Sequence, residues 1–180
     1  MYVKFTKAIN NNLMVFSSNA GDREGFIYDL MKLNGDTMFY EIDGDPEDRE
    51  TNLAGLPTMR TEADIHNLLF YLHHVLDGRF VRMFTEHHIA GRGHDAVTTE
   101  HPIILFIDNI DVLSEHLDQE DMGLLDWLAS TNRKTGLTIV STSASSKPNL
   151  PQELFVNLAC SVIDLDRNIS RIYEESFLDD

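Results

Sequence analysis

The chain has 180 residues, 42% of them hydrophobic, and carries 30 acidic against 14 basic side chains for a formal net charge of −16. That length and apolar content are ordinary for one globular domain with a single core. The charge repels phosphate backbones and anionic lipid surfaces, which argues against nucleic-acid or direct membrane binding and leaves basic or mixed-charge protein partners.

No apolar run approaches the roughly 18 residues that span a bilayer. The start, Met1-Tyr2-Val3-Lys4, does not read as a secretory leader. The single cysteine, Cys160, lies in an apolar stretch and reads as a buried thiol. One cysteine forms no internal disulfide, which fits a reducing compartment.

In chain order, Leu13 to Phe16 is a short apolar run that predicts a buried strand. A small polar loop, Ser17 to Gly21, follows. From Asp22 to Leu33 the apolar residues Phe26, Ile27, Leu30, Met31 and Leu33 fall at helical spacing. Asn34-Gly35 ends that helix. Thr37 to Ile42 reads as a strand, and Asp43 to Pro57 as an acidic surface loop.

Thr61 and Asp64 form a capping pattern for a long helix to about Thr85, with Asp77-Gly78 as a possible kink. Ala90 to Glu100 is a glycine-containing loop. Ile103 to Ile107 is a continuous apolar run, as in a central parallel strand covered on both faces. Asp121 to Ser130 reads as a helix with Trp127 half-buried, Leu137 to Val140 as a strand, and Pro151 to Leu158 as a short helix with proline in its first turn. Ser161 to Leu165 is the last predicted strand, and the charged tail from Asp166 reads as less ordered.

Alternating strands and helices predict a mostly parallel sheet with helices on both faces, the three-layer α/β plan. Such sheets bind ligands at the carboxyl ends of their strands. Chemistry is therefore expected just after Phe16, Ile107 and Val140.

The first of these places is the strand, loop and helix at Leu13 to Leu33. A phosphate-binding loop has the pattern Gly, four residues, Gly, Lys, Ser/Thr. Aligning its second glycine on Gly21 puts Phe16 at the first, with Ser17, Ser18, Asn19 and Ala20 between them. Asp22 then stands at the lysine position and Arg23 at the magnesium-binding hydroxyl position. A carboxylate among phosphate oxygens turns attraction into repulsion. A guanidinium has no lone pair to give a metal. An ordinary strand-to-helix turn is the competing reading of this loop.

The second place is the end of the apolar run at Asp108-Asn109. An acid there suits a magnesium-bound water. A following glutamate would activate an attacking water, and an amide does not accept that proton. The third place is Ser141-Thr142-Ser143, where strand-end hydroxyls suit either a phosphate sensor or simple satisfaction of backbone groups.

Together these pieces resemble the FtsK/SpoIIIE ATPases, above all the EssC/EccC coupling ATPases of type VII secretion. The stretches that carry the resemblance are Leu105-Phe106-Ile107-Asp108, Leu124 to Ala129, and Arg133 to Thr142, with the helix bearing Leu76, Arg79 and Phe80 before them. Ser143 departs from the glutamine usual there. The resemblance implies a P-loop NTPase-like (RecA/FtsK-like) fold. It also implies a degenerate third ATPase domain ending a longer, membrane-anchored chain at the cytoplasmic face. No ATP or magnesium binding is expected. The implied partners are WXG100-type secreted substrates and neighbouring ATPase domains. The vestigial nucleotide site would comprise Phe16 to Arg23, Asp108, Asn109 and Ser143.

Two rival functions stay open: a nucleotide-regulated ATPase with a divergent pocket, and a DNA translocase segment, which the acidity opposes. The histidines at 73, 74, 87, 88, 94 and 101 lack metal-ligand spacing and read as solvated surface. No Gly-x-Ser-x-Gly elbow supports a hydrolase.

Overall fold

A computed structural model describes residues 11–34, 37–44, 56, 58–90, 101–167 and 169–172, with 86–90, 132–133 and 169–172 described by backbone only. Strands are β1 (Leu13–Phe16), β2 (Met38–Asp43), β3 (Thr58–Met59), β4 (Ile103–Asp108), β5 (Leu137–Ser143), β6 (Ser161–Asp164) and β7 (Ile169–Ile172). Helices are α1 (Ala20–Leu33), α2 (Glu62–Ala90), α3 (Ile110–His116), α4 (Gln119–Thr135) and α5 (Gln152–Leu158). The sheet order is β3-β2-β4-β5-β1-β6-β7, with every neighbouring pair parallel except β6 and β7. Strand β5 thus sits between the loop-bearing β1 and the acid-bearing β4.

Side-chain alternation divides the core into two layers. Met14, Phe16, Ile103, Leu105, Ile107, Leu137 and Ile139 face α2, α3, α4 and α5. Leu13, Val15, Ile104, Phe106 and Val140 face Ile27 and Leu30 of α1. This is why the runs in β1 and β4 are apolar throughout: both faces are covered. It also fixes which strand-end residues meet α1. Asp108 continues the parity of Ile104 and Phe106, and Thr142 that of Val140.

Asn12 knits these layers together. Its Nδ2 donates to the carbonyls of Ala129 and Asn157, each at 2.9 Å, and its Oδ1 accepts from the Ile139 N–H at 2.8 Å. The side chain is fully buried, so truncation leaves a buried donor and two acceptors without partners. Asn12→Ala is expected to lower the unfolding free energy by about 2–3 kcal/mol, read as a lower urea midpoint at unchanged m.

Several sequence expectations need correction. α2 runs unbroken through Asp77-Gly78; a helical glycine costs only about 1 kcal/mol, and Leu72 and Leu76, fully buried in the core shared with α4, outweigh it. α3 was not expected, nor were β3 and the antiparallel β7 formed by the charged tail. α4 is longer than predicted at both ends. Pro151 stands at the N-cap of α5 rather than inside its first turn. Cys160 is only partly buried, its Sγ directed to the Asn157 carbonyl at 3.3 Å. Thr61 does cap α2 as predicted, accepting from the Asp64 N–H at 3.2 Å. Trp127 is half-buried as predicted. Most of the loop from Asp43 to Pro57, all of Ala90 to Glu100 except Ala90, and the segment after Phe177 lie outside the described residues. No described helix is long and apolar enough to cross a membrane.

Candidate functional site

The carboxyl ends of β1, β4 and β5 converge beside the start of α1. Only Ser17, Ser18 and Asn19 separate β1 from that helix. Phe16, at the position of a first loop glycine, is still strand and buries its ring in the helical layer opposite α1. Asn19 is the N-cap, its side chain accepting from the Gly21 N–H at 2.9 Å. A phosphate cradle requires successive N–H groups turned inward by alternating right- and left-handed residues. Among the described residues left-handed backbone occurs only at Asn109 and Gly136. The Ser17–Ala20 segment therefore does not form that nest.

Asp22 and Arg23 take opposite directions. Asp22 is exposed in the first turn of α1, where a carboxylate complements the helix dipole. Arg23 turns inward and is 6% exposed. Its Nη1 donates to the Ser17 carbonyl at 2.8 Å, and its Nε lies 3.6 Å from Asp108 Oδ1. That second contact is a charge pairing without a hydrogen bond, for Nε has no acceptor within reach. The sequence alignment put the decisive charge on Asp22; in the folded chain Arg23 is the residue that reaches the Asp108 carboxylate.

Asp108 is fixed from the other side as well. Thr142 Oγ1 donates to Asp108 Oδ1 at 2.5 Å and accepts from the Asn109 N–H at 2.9 Å. The bond to Thr142 holds Asn109 in its left-handed conformation (φ 53°), which asparagine tolerates. Asn109 Oδ1 is buried without a partner. One strand over, Asp43 stands in register with Asp108 and pairs with Arg60 Nε at 3.1 Å. Two arginines thus face two buried strand-end carboxylates.

Ser143 does not join this group. Its side chain goes to the α3 layer and donates to Asp111 Oδ2 at 2.7 Å. Of the sequence-predicted residues, the fold brings together Ser17, Arg23, Asp108 and Asn109; it leaves Ser18, Asn19, Ala20, Gly21 and Asp22 at the exposed rim, and sends Phe16 and Ser143 to the other layer. Sequence reasoning missed Asp43, Arg60, and Thr142 as the bridge. Strand alternation would have pointed to Thr142, but the others depend on long-range pairing.

The chemistry of this donor set does not suit magnesium. A cation entering beside Asp108 meets the Arg23 guanidinium; the neighbouring Asp43 carboxylate already pairs with Arg60, and the other groups at the strand ends are hydroxyls and an amide. Among the described residues no three histidine, cysteine, aspartate or glutamate side chains converge as a metal site. His73 packs edge-on to Trp127 with ring centroids 4.5 Å apart, and His74 and His101 are exposed. The side chains of His87, His88 and His94 lie outside the described residues.

One histidine not singled out by the sequence has a defined partner. His66 Nδ1 lies 2.7 Å from Asp121 Oδ1 and links α2 to α4. The hydrogen bond to Asp121, helped by the charges of Asp121, Glu120 and Asp118, holds its pKa above the ordinary 6.5. A raised folded-state pKa gives stability that is fully present below about 6.5 and is lost as pH rises through the folded value. His66→Gln is therefore expected to lower the melting temperature at pH 6 and to converge with the parent by pH 9 (about two units beyond the ordinary imidazole range).

The fold is shared with the ATPase 2 and 3 regions of EssC and EccC and with a conjugation coupling protein. EssC (ATPases 2 and 3) from Geobacillus thermodenitrificans superposes with a TM-score of 0.64 at 15% identity, over 93% of this chain and 33% of that one. Thermomonospora curvata EccC (ATPases 2 and 3), solved in complex with a signal sequence peptide, gives 0.61 at 16% identity over 89% and 31%. The conjugation coupling protein TcpA of pCW3, a monomer form with ATPγS, gives 0.61 at 14% over 87% and 49%. The chain thus spans about a third of the length of the EssC and EccC structures and about half that of TcpA. No protein-family model matches the chain, and no curated protein matches it. The expected P-loop NTPase-like α/β architecture is the observed one.

Proposed function

We propose that this domain is an ATPase-like module that neither binds nor hydrolyses ATP, and that it serves as a docking domain within a type VII secretion-like coupling protein. The observation that carries the reading is the Arg23 guanidinium set against Asp108 where a nucleotide's magnesium would need that carboxylate. Two further points support it. The turn before α1 lacks the backbone nest for phosphates, and Asn109 stands where a water-activating carboxylate would be needed.

The docking role rests on the likeness in fold to EccC, which was solved with a signal sequence peptide. The partners in this reading are helical, WXG100-type secreted substrates and neighbouring ATPase domains of a longer chain. That chain would be membrane-anchored, with this domain at its cytoplasmic face. A helical peptide would lay apolar anchors into a groove with a polar rim.

Isothermal calorimetry with Mg-ATP tests the first half of the proposal. No saturable heat is expected at millimolar nucleotide; micromolar affinity refutes it. Fluorescence anisotropy with labelled substrate tails tests the second half, with saturable binding expected. A nucleotide-binding reading has one point in its favour: Asp108 is retained at the end of β4, and TcpA, of the same fold, was solved with ATPγS. That reading requires Asp108→Asn to lower ATP turnover in the assembled protein, whereas the docking reading expects no turnover to lose.

A further inference from the structure

We propose that the outer face of α2, from Phe70 to Phe84, docks an amphipathic partner helix that carries a basic residue at its centre. This rests on the docking half of the reading above and gives it a surface and a partner chemistry.

The two sides of α2 differ. One side, with Ile65, Leu68, Leu69, Leu72 and Leu76, is buried in the core shared with α4. On the other, Phe70, His74, Asp77, Val81 and Phe84 are all exposed. They recur at alternating steps of four and three residues, the spacing of a seam that receives a second helix. Phe70, Val81 and Phe84 are each more than half exposed, and Tyr71 flanks them with half of its surface open. Single apolar residues scattered on a surface carry no meaning; large ones lined up along one seam form a patch.

The charge of the seam selects the partner. Asp77 stands midway between the two phenylalanines, about 10 Å along the axis from each. It is exposed and has no ion-pair partner among the described residues. Arg82, one residue off the seam, lies alongside Gly78 rather than Asp77. A helix covering the seam takes the Asp77 carboxylate out of water, which is costly without a cation to meet it. A partner with Lys or Arg opposite Asp77, and apolar anchors about two turns to each side, satisfies the charge and both rings together.

The same charge rules against a second copy of this chain. A two-fold pairing that seats the phenylalanines on one another brings Asp77 onto its own copy, whether the helices run parallel or antiparallel, because it lies midway between them. Like charges facing each other across a seam repel, and each copy carries a net charge of −16. That net charge also repels an anionic bilayer. A basic amphipathic helix of another protein is the occupant that both the spacing and the charge fit.

The test uses two labelled synthetic amphipathic helices, alike but for a Lys or a Glu midway between their leucine anchors, followed by fluorescence anisotropy. The Lys helix is expected to saturate the parent and to bind at least about tenfold more tightly than the Glu helix. Asp77→Lys is expected to reverse that order. Phe70→Ala combined with Phe84→Ala is expected to weaken the Lys helix at least about tenfold. The melting temperature should not change, since both rings are exposed. No saturation by the Lys helix, the same order of helices in parent and Asp77→Lys, or no loss on removing the two rings overturns the proposal. So does a parent that sediments as a dimer when the doubly substituted variant does not, for then a second copy is the occupant. Substrate tails that bind parent and doubly substituted variant alike would leave the docking reading standing while this surface falls. A Lys helix that binds where the tails do not would keep the surface and remove the substrate reading.

Discussion

Replacing Arg23 with alanine is expected to cost about 3–5 kcal/mol of unfolding free energy, the size typical of removing one partner from a buried ion pair. Both side chains of the pair are 7% exposed, so solvent does not replace the lost guanidinium. Asp108 would remain buried among β4, β5 and α1, still accepting from the Thr142 hydroxyl but without the guanidinium that balances its charge. The Ser17 carbonyl would lose its donor too. For a domain of this size each kcal/mol lowers the melting temperature by about 2–4 °C, so a fall of at least about 6 °C is expected. Asp108→Asn in the same background should recover part of the loss, because the amide oxygen still accepts from Thr142 while the charge that Arg23 balanced is gone. If Arg23→Ala proved neutral, Arg23 would not be the internal cation of this site. The double-mutant coupling is the sharper measurement: a pair in contact gives a non-additive term of about 0.5–3 kcal/mol, and independent sites give none beyond about 0.5.

The contrast between Asp22 and Arg23 shows how far the sequence reaches. The apolar runs at Leu13–Phe16 and Ile103–Ile107 announce buried strands because period and residue type suffice for that. Helix α1 was legible from its spacing, and the cap of α2 from Thr61 and Asp64. The three strand ends where chemistry was expected do meet. What the sequence could not supply is direction. Asp22 and Arg23 are neighbours about 100° apart around a helix, and only the docking of α1 on Leu13, Val15 and Phe106 decides which of them turns inward. Asp166 is separated from Ser17 by nearly the whole chain, so no local pattern points to their contact. α3 escaped notice because seven residues after a left-handed asparagine offer too short a period to read. Ser143 looked like a site residue by position, yet strand alternation sends it to the face opposite Thr142.

Gly44→Ala is expected to be the second severe substitution, at about 3 kcal/mol from overpacking together with a lost buried hydrogen bond. The reason is space rather than backbone conformation. A Cβ on Gly44 would stand 2.6 Å from the carbonyl oxygens of both Asp108 and Asn109 and 2.9 Å from Leu113 Cβ. Two of those three contacts are backbone, which does not swing aside. The Gly44 N–H also donates to the Asp108 carbonyl at 2.9 Å, so moving the end of β2 away to relieve the clash breaks that bond. The move would also disturb the register of Asp43 opposite Asp108, and with it the Arg60 pair. Gly123→Ala supplies the control: it lies in α4 with nothing within 4 Å of its would-be Cβ, and alanine there should stabilise by up to about 1 kcal/mol. Urea unfolding of the two variants checks both signs at once. A Gly44 variant as stable as the parent would mean that β2 and β4 are not held as closely at their carboxyl ends as the Gly44 N–H bond to the Asp108 carbonyl implies.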